Sequence, residues 1–266
     1  MPKRSLRRSR RAAQGGGLVV SGLAVIAVTY GLARYGYGLY LPQFRAAFGL
    51  SAGTAGAIAA GGYVGYCGAA VVASGLVGRG RARQALWAAG GSAALGSLLV
   101  AASWNGASLA VGALVAGSGA GAATPALVAA VAGSVRDPDQ PRAQGLVNSG
   151  TGAGVVVGGL LVLAVPGAWR WSWAGFAVAA VLVTSWADRR ARWNPAADGP
   201  AAPDRPSGRR QIRRLARPLV AALLAGGGCA GVWTFARDLM TADGGLPRRS
   251  PGCSGACSGP PAWWAG

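Results

Sequence analysis

The chain has 266 residues and a formal net charge of +19, from 26 Lys and Arg against 7 Asp, with no His and no Glu. A balance this basic ordinarily points to nucleic acid, yet 52% of the residues are hydrophobic and only 12% charged, and the charge is gathered in short clusters between uncharged runs of about 20 residues. Such runs match the length of helix that crosses a bilayer, so the composition excludes a soluble enzyme and a nucleic-acid binder and describes an integral membrane protein.

Residues 1–14 carry six basic side chains and lead into an apolar run from Gly15 to Leu41. That run is too long for a signal-peptide core, so it reads as a first spanning helix behind a cytoplasmic basic arm. Further apolar runs at 51–77, 85–103, 108–134, 144–166, 171–187 and 218–240 bring the expected spans to seven. Pro125 falls inside the fourth, which packed membrane helices tolerate, and "WRWSW" (Trp169 to Trp173) marks the interfacial start of the sixth. With the amino terminus inside, the segments 1–14, 78–84, 135–143 and 188–217 face the cytoplasm and hold nearly all the arginines, whereas the first three outward loops hold Arg45 and Arg170. This asymmetry predicts a multi-pass membrane protein with a cytoplasmic amino terminus. The expected partners are the lipid bilayer, an unidentified small-molecule substrate and anionic lipid at the basic segments, not nucleic acid.

The expected organisation is a basic arm (1–14), a six-helix membrane unit (15–187), a Pro- and Arg-rich linker (188–217), a seventh helix (218–245) and an aberrant tail (246–266). The tail, "SPGCSGACSGPPAWWAG" from Ser250, breaks the apolar pattern. One Lys against 25 Arg points to a gene with mostly G or C in third codon positions. Under that codon usage a shifted frame of the tail can read as Leu, Gly, Ala and Val. The tail is therefore expected to be a frameshift product of an incomplete, inactive form. Cys67 and Cys229 lie within apolar runs and read as small buried thiols. Cys253-x3-Cys257 has no second pair, so neither a disulfide framework, a metal site nor a cofactor is expected.

Arg34 is the one charge within the first six apolar runs. An ionisable side chain at membrane depth costs roughly 2.5–3.5 kcal/mol on insertion scales, so it faces a cavity or snorkels to the interface. Helical spacing places Tyr30, Arg34 and Tyr37 on one face as candidate substrate-binding residues. Asn148 and Thr151 on the fifth span are further candidates. Gly150, Gly154 and Gly158, four apart, form a smooth stripe for close helix packing, as do Gly61 and Gly65 on the second span. Arg237 and Asp238 form an outer ion pair or face the pathway, and Asp238 is the one acid near membrane depth. "GSGAGAATP" (117–125) lacks the Lys-Ser/Thr of a phosphate loop. Without Glu or His no enzymatic role is expected.

The strings "YGLARYGYGLYLPQFRAAFGLS", "RAQGLVNSGTGAGVVVGG" and "VWTFARDLMTADGGLP" resemble the major facilitator superfamily, and within it the YbfB/YjiJ-like branch. The resemblance covers about residues 16–246. It implies an all-α, polytopic transmembrane bundle: the N-terminal six-helix half of a facilitator plus helix 7 of the second half. It also implies secondary transport of a small solute by alternating access around a midplane site. The family loop G-x-L-A-D-R-x-G-R-R corresponds here to "SGLVGRGRARQAL", with Gly78 in place of the Asp and with Arg79, Arg81 and Arg83 as cytoplasmic gate residues. A non-transporting membrane scaffold or sensor built on the basic linker remains the alternative reading.

Overall fold

The computed structural model describes residues 16–165, 167–193 and, of the last segment, 216, 220, 221, 224–226, 228–236, 239 and 240. Among the described residues every regular element is helical. Helix α1 (Gly16–Arg34) widens into π turns over Ala27–Arg34. Short helices α2 (Gly36–Leu39) and α3 (Leu41–Phe48) follow it, then α4 (Ala52–Val77), α5 (Ala82–Ala101) and α6 (Gly106–Ser134). After a 3-10 turn at Asp137–Asp139 come α7 (Gln140–Asn148), α8 (Gly150–Ala164) and α9 (Trp169–Arg190). Five helical stretches among the described residues are long and apolar enough to cross a membrane: Gly16–Arg34, Ala52–Val77, Ala82–Ala101, Gly106–Ser134 and Asp137–Ala164.

Two boundaries differ from the sequence expectation. The first run does not continue as one helix to Leu41: the backbone breaks at Tyr35, whose N–H reaches back five residues to the Tyr30 carbonyl (2.9 Å), and resumes as α2 and α3. The π turn leaves hydropathy unchanged and so has no signature in composition. Helix α9 starts at Trp169 and runs to Arg190, so Asp188, Arg189 and Arg190 are helical. Pro125 sits inside α6 without ending it.

Helix α6 lies between α4 and α5, α9 packs on the other side of α5, and α1 touches α5, α6, α8 and α9 from the centre. Small residues make these approaches possible in lipid, where helices associate by close packing rather than by exclusion of water. A Cβ on Gly96 would overlap the Ala116 backbone, and one on Gly119 would press on Ala89 and Ala93. On the other flank Gly31 of α1 meets the backbone of Gly154. Gly150 and Gly154 face the carbonyls of Leu23 and Ala27, and Gly158 meets Leu39 and Leu32. Gly65 faces the Leu114 carbonyl, whereas Gly61 makes only ordinary contact with Leu114. Buried Ser21 and Thr29 return their hydroxyls to the carbonyls of Leu18 and Val25, which satisfies them inside the apolar bundle.

Two apolar cores result. At the end distant from the amino terminus, Tyr40, Phe44, Trp173 and Phe176 interlock and hold α2 and α3 against α9. Trp173 is fully buried and Trp169 nearly so, while Trp171 is exposed, so "WRWSW" is half core. At the amino-terminal end Leu18, Leu86, Leu127 and Val147 form the second core. Cys67 and Cys229, expected as buried thiols, are instead exposed and free.

The arginines of the 78–81 turn lie at the amino-terminal, basic end. Arg79 donates to the Gly75 carbonyl (2.9 Å), Arg81 precedes α5, and Gly80 takes the positive φ of 69° that the turn needs. Arg83 makes a bidentate pair with Asp188 (2.8 Å for each bond). The acid missing at Gly78 thus has a counterpart from the end of α9, which ties α5 to α9. Trp193 also donates to Asp188 (2.8 Å). Hydrogen bonding from Arg83 holds the Asp188 carboxyl below its usual range; partial burial opposes this, and the indoles of Trp87 and Trp193 reinforce it.

Two outcomes are expected. Because the folded Asp188 binds its proton less readily than the unfolded chain, its contribution is present above the ordinary carboxyl value of about 4 and is lost as pH falls from there through the lower folded value. Thermal melts in detergent should show a steeper acid-side loss for the native chain than for Asp188→Asn; parallel pH profiles would contradict this. Gly154→Ala should lower the melting temperature, with overpacking costing about 1–3 kcal/mol. Gly159→Ala, whose added Cβ meets nothing within 4 Å, should be neutral or mildly stabilising.

Candidate functional site

The site starts from the π turns of α1. A widened turn carries one residue more than an α turn and lets neighbouring side chains converge. Here it delivers Tyr30 and Arg34 toward α4 and α6. The Tyr30 hydroxyl shares hydrogen bonds with Tyr66 (3.0 Å) and Thr124 (2.7 Å), and the Tyr30 and Tyr66 rings meet edge to face. One layer further, the Arg34 guanidinium carbon stands 3.9 Å from the Tyr66 ring centroid, 4.5 Å from that of Tyr63 and 5.8 Å from that of Tyr35. Tyr66 is near the middle of α4, so the guanidinium lies at mid-helix depth and not at an end. Aromatic faces attract a cation by about 0.5–2 kcal/mol each when it is desolvated. Two or three of them offset much of what a charge costs at that depth.

Beside the guanidinium lies a cleft with about 40 Å³ open to the centres of water-sized molecules. Arg34, Tyr35 and Tyr37 bound it from the α1–α2 side, Ile58, Gly62 and Tyr63 from α4, and Ala113 and Gly117 from α6. Trp233 and Thr234, from the helical residues beyond the linker, close the remaining side. Trp233 packs edge to face on Tyr35 with centroids 4.6 Å apart, Thr234 is buried, and Phe235 rests on the distal core and against Gly56. The Trp233 carbonyl stands 3.0 Å from where a Cβ on Gly38 would be. A Cβ there is a tight fit that the carbonyl accommodates by giving a few tenths of an ångström.

The sequence candidates divide accordingly. Arg34 and Tyr37 line the cleft; the Tyr37 hydroxyl is spent on the Ala55 carbonyl (3.0 Å) and its ring stacks on Phe44. Tyr30 lies beneath, joined through Tyr66. Asn148 is exposed on α7, where it accepts from Gln144 (3.3 Å), and Thr151 is on α8; neither lines the cleft. Arg237 and Asp238 lie outside the described residues. Tyr63, Tyr66, Thr124, Trp233 and Thr234 are site residues the sequence reading lacked. Tyr63 and Tyr66 carried a signal, being the two aromatics of an otherwise small and aliphatic run and three apart on one helical face.

Residues 23–256 match the sequence profile of the Major Facilitator Superfamily. The chain belongs to that superfamily. This facilitator is therefore a multi-pass membrane transporter, of a family that moves solutes and does not transform them. The match runs into residues 246–266, which the sequence reading set apart as the tail, as far as residue 256. No curated protein matches the chain.

For the facilitator's central charge the tyrosine rings matter more than their hydroxyls. Tyr66→Phe keeps the ring over Arg34 and should melt close to the native protein, whereas Tyr66→Leu should lose about 0.5–2 kcal/mol. In an Arg34→Met background that loss should shrink. An undiminished loss in this double-mutant cycle would show that the ring acts by packing alone.

Proposed function

We propose that this facilitator carries a small solute across the membrane by alternating access around the Arg34 cleft. The observation that carries the reading is the cleft's position. Its walls come from α1, α4 and α6 of the six-helix unit and from Trp233 and Thr234 beyond the linker, so it occupies a seam. A rocking motion between two bodies opens and closes a seam without unfolding either. In this reading residues 15–187 are one body, 188–217 the connecting linker, and 218–245 the first helix of the other. Residues 246–266 are an aberrant stretch whose residue types, with G or C in third codon positions, are compatible with a shifted frame. The three sequence strings support a reading of the chain as a member of the YbfB/YjiJ-like branch.

Arg34 is the polar centre of the solute site, with Tyr37 as wall and Tyr30 as its hydrogen-bonded floor. Arg79, Arg81 and Arg83 form the cytoplasmic gate, with Arg83 held in place by Asp188 of α9. The excess of arginines at the basic end supports a cytoplasmic placement of that end in a bacterial inner membrane, where anionic headgroups attract it.

Thiol accessibility tests the reading. Cys67, Cys229, Cys253 and Cys257 are replaced by Ser, Ala59→Cys is introduced on the cleft wall, and a membrane-impermeant maleimide is applied to right-side-out and inverted vesicles. Alternating access predicts labelling from both faces. Labelling from one face alone would contradict it.

A further inference from the structure

The hydrogen-bonding inventory of the cleft is lopsided. Arg34 Nη1 and Trp233 Nε1 are both buried and have no hydrogen-bond partner among the described residues, and both residues line the same cleft. A guanidinium and an indole N–H can only donate. A buried donor left unmade costs about 1–3 kcal/mol, more when it is charged, so a stable site that keeps two of them open is complementary to an acceptor. The carboxylates among the described residues, Asp137, Asp139 and Asp188, belong to the basic end, away from mid-helix depth.

The rest of the lining narrows the class. Tyr66 and Tyr63 hold the guanidinium over their rings without accepting a hydrogen bond from Nη1, which suits a planar acceptor that can take parallel N–H bonds. Ile58, Ala59, Gly62, Ala113 and Gly117 complete a smooth wall whose side chains offer no polar group. The hydroxyl-bearing lining residues Tyr35, Tyr63 and Thr234 stand with Arg34 and Trp233, so a polyol would leave the hydroxyls that face the apolar wall unpaired, and a second negative charge would have no second positive partner in the lining. A cation finds the tyrosine faces already taken by Arg34.

We propose that the solute is a compact organic monocarboxylate, with its carboxylate on the Arg34 edge and Trp233 Nε1 and its apolar body against the small-residue wall of α4 and α6. This rests on the cleft being the solute site. One positive charge at the site meets one negative charge on the solute, so the pair crosses the low-dielectric region neutralised and the apolar body fills the space beside it.

The test is calorimetric titration of the full chain in nanodiscs with propionate and benzoate, each against its neutral amide, propionamide and benzamide, and with nitrate as an inorganic oxyanion. At least one acid should bind at least about tenfold more tightly than its amide, a difference of about 1.4 kcal/mol. Nitrate should bind more weakly than that acid, and Arg34→Gln should abolish the preference for acid over amide. Equal binding of acid and amide overturns the proposal, as does binding of nitrate alone, no acid binding up to about 10 mM, or an acid preference that survives in Arg34→Gln. The acid-to-amide comparison is made on the native chain, so it stands even where the variant does not fold. Failure of the acids with two-sided labelling of Ala59→Cys intact overturns the substrate class only, whereas one-sided labelling overturns alternating access itself.

Discussion

A single guanidinium at mid-helix depth imposes the main constraint on this molecule. A charge in a medium that does not solvate it must be given other partners or be carried to the interface. Arg34 has the side-chain length to reach an interface, yet it lies over Tyr66, near the centre of α4. What holds it there is a set of ring faces, with Tyr30, itself bonded to Thr124, fastening Tyr66 from below through its hydroxyl. The π turns of α1 belong to the same device. They allow Tyr30 and Arg34 to point into one space, and they end at Tyr35, whose ring then meets Trp233. Removing the charge would remove the reason for most of these arrangements.

The scaffold around that charge is built from very small residues. Backbone meets backbone at Gly31–Gly154, Gly96–Ala116 and Gly121–Tyr66, and dispersion between closely apposed helices replaces the hydrophobic drive that lipid does not provide. Such surfaces are smooth. They leave few places where a polar group can be held, and the tyrosines of α1 and α4 occupy one of them. The small residues of α4 and α6 that allow close packing also form the cleft wall at Gly62, Ala113 and Gly117. Packing and recognition thus draw on one compositional habit.

The membrane class, the helix positions and the prominence of Arg34 were legible because each depends on local composition: charge-free length, charge asymmetry and a lone arginine in an apolar run. The glycine spacing at 150, 154 and 158 was equally local, and those residues do face α1 or the end of its run. Other features depend on what meets what. Nothing in the local pattern around Trp233 says that it packs on Tyr35 across a linker of some thirty residues. Gly78 leaves the second loop without its expected acid, and only the approach of α9 to α5 shows that Asp188 stands opposite Arg83. The two cysteines show the same limit from the other side: a thiol in an apolar run reads as buried, but α4 has only 11% of its most apolar window buried, so Cys67 looks outward. Hydropathy gives depth in the bilayer and says little about which face is covered.

The account turns on helical residues beyond the linker closing the Arg34 cleft against α2 and α4. The most direct measurement is disulfide formation between Gly38→Cys and Thr234→Cys in a chain otherwise free of cysteine, oxidised in native membranes. A Cβ on Gly38 would stand 3.5 Å from the Thr234 Cα, a proximity compatible with the Cβ separation of about 3.5–4.5 Å that a disulfide requires. The account predicts rapid cross-linking at this pair and none at Gly38→Cys with Val220→Cys, fourteen residues earlier in the sequence. Absence of the first cross-link, or equal cross-linking of both pairs, would contradict the claim that Trp233 and Thr234 complete the site.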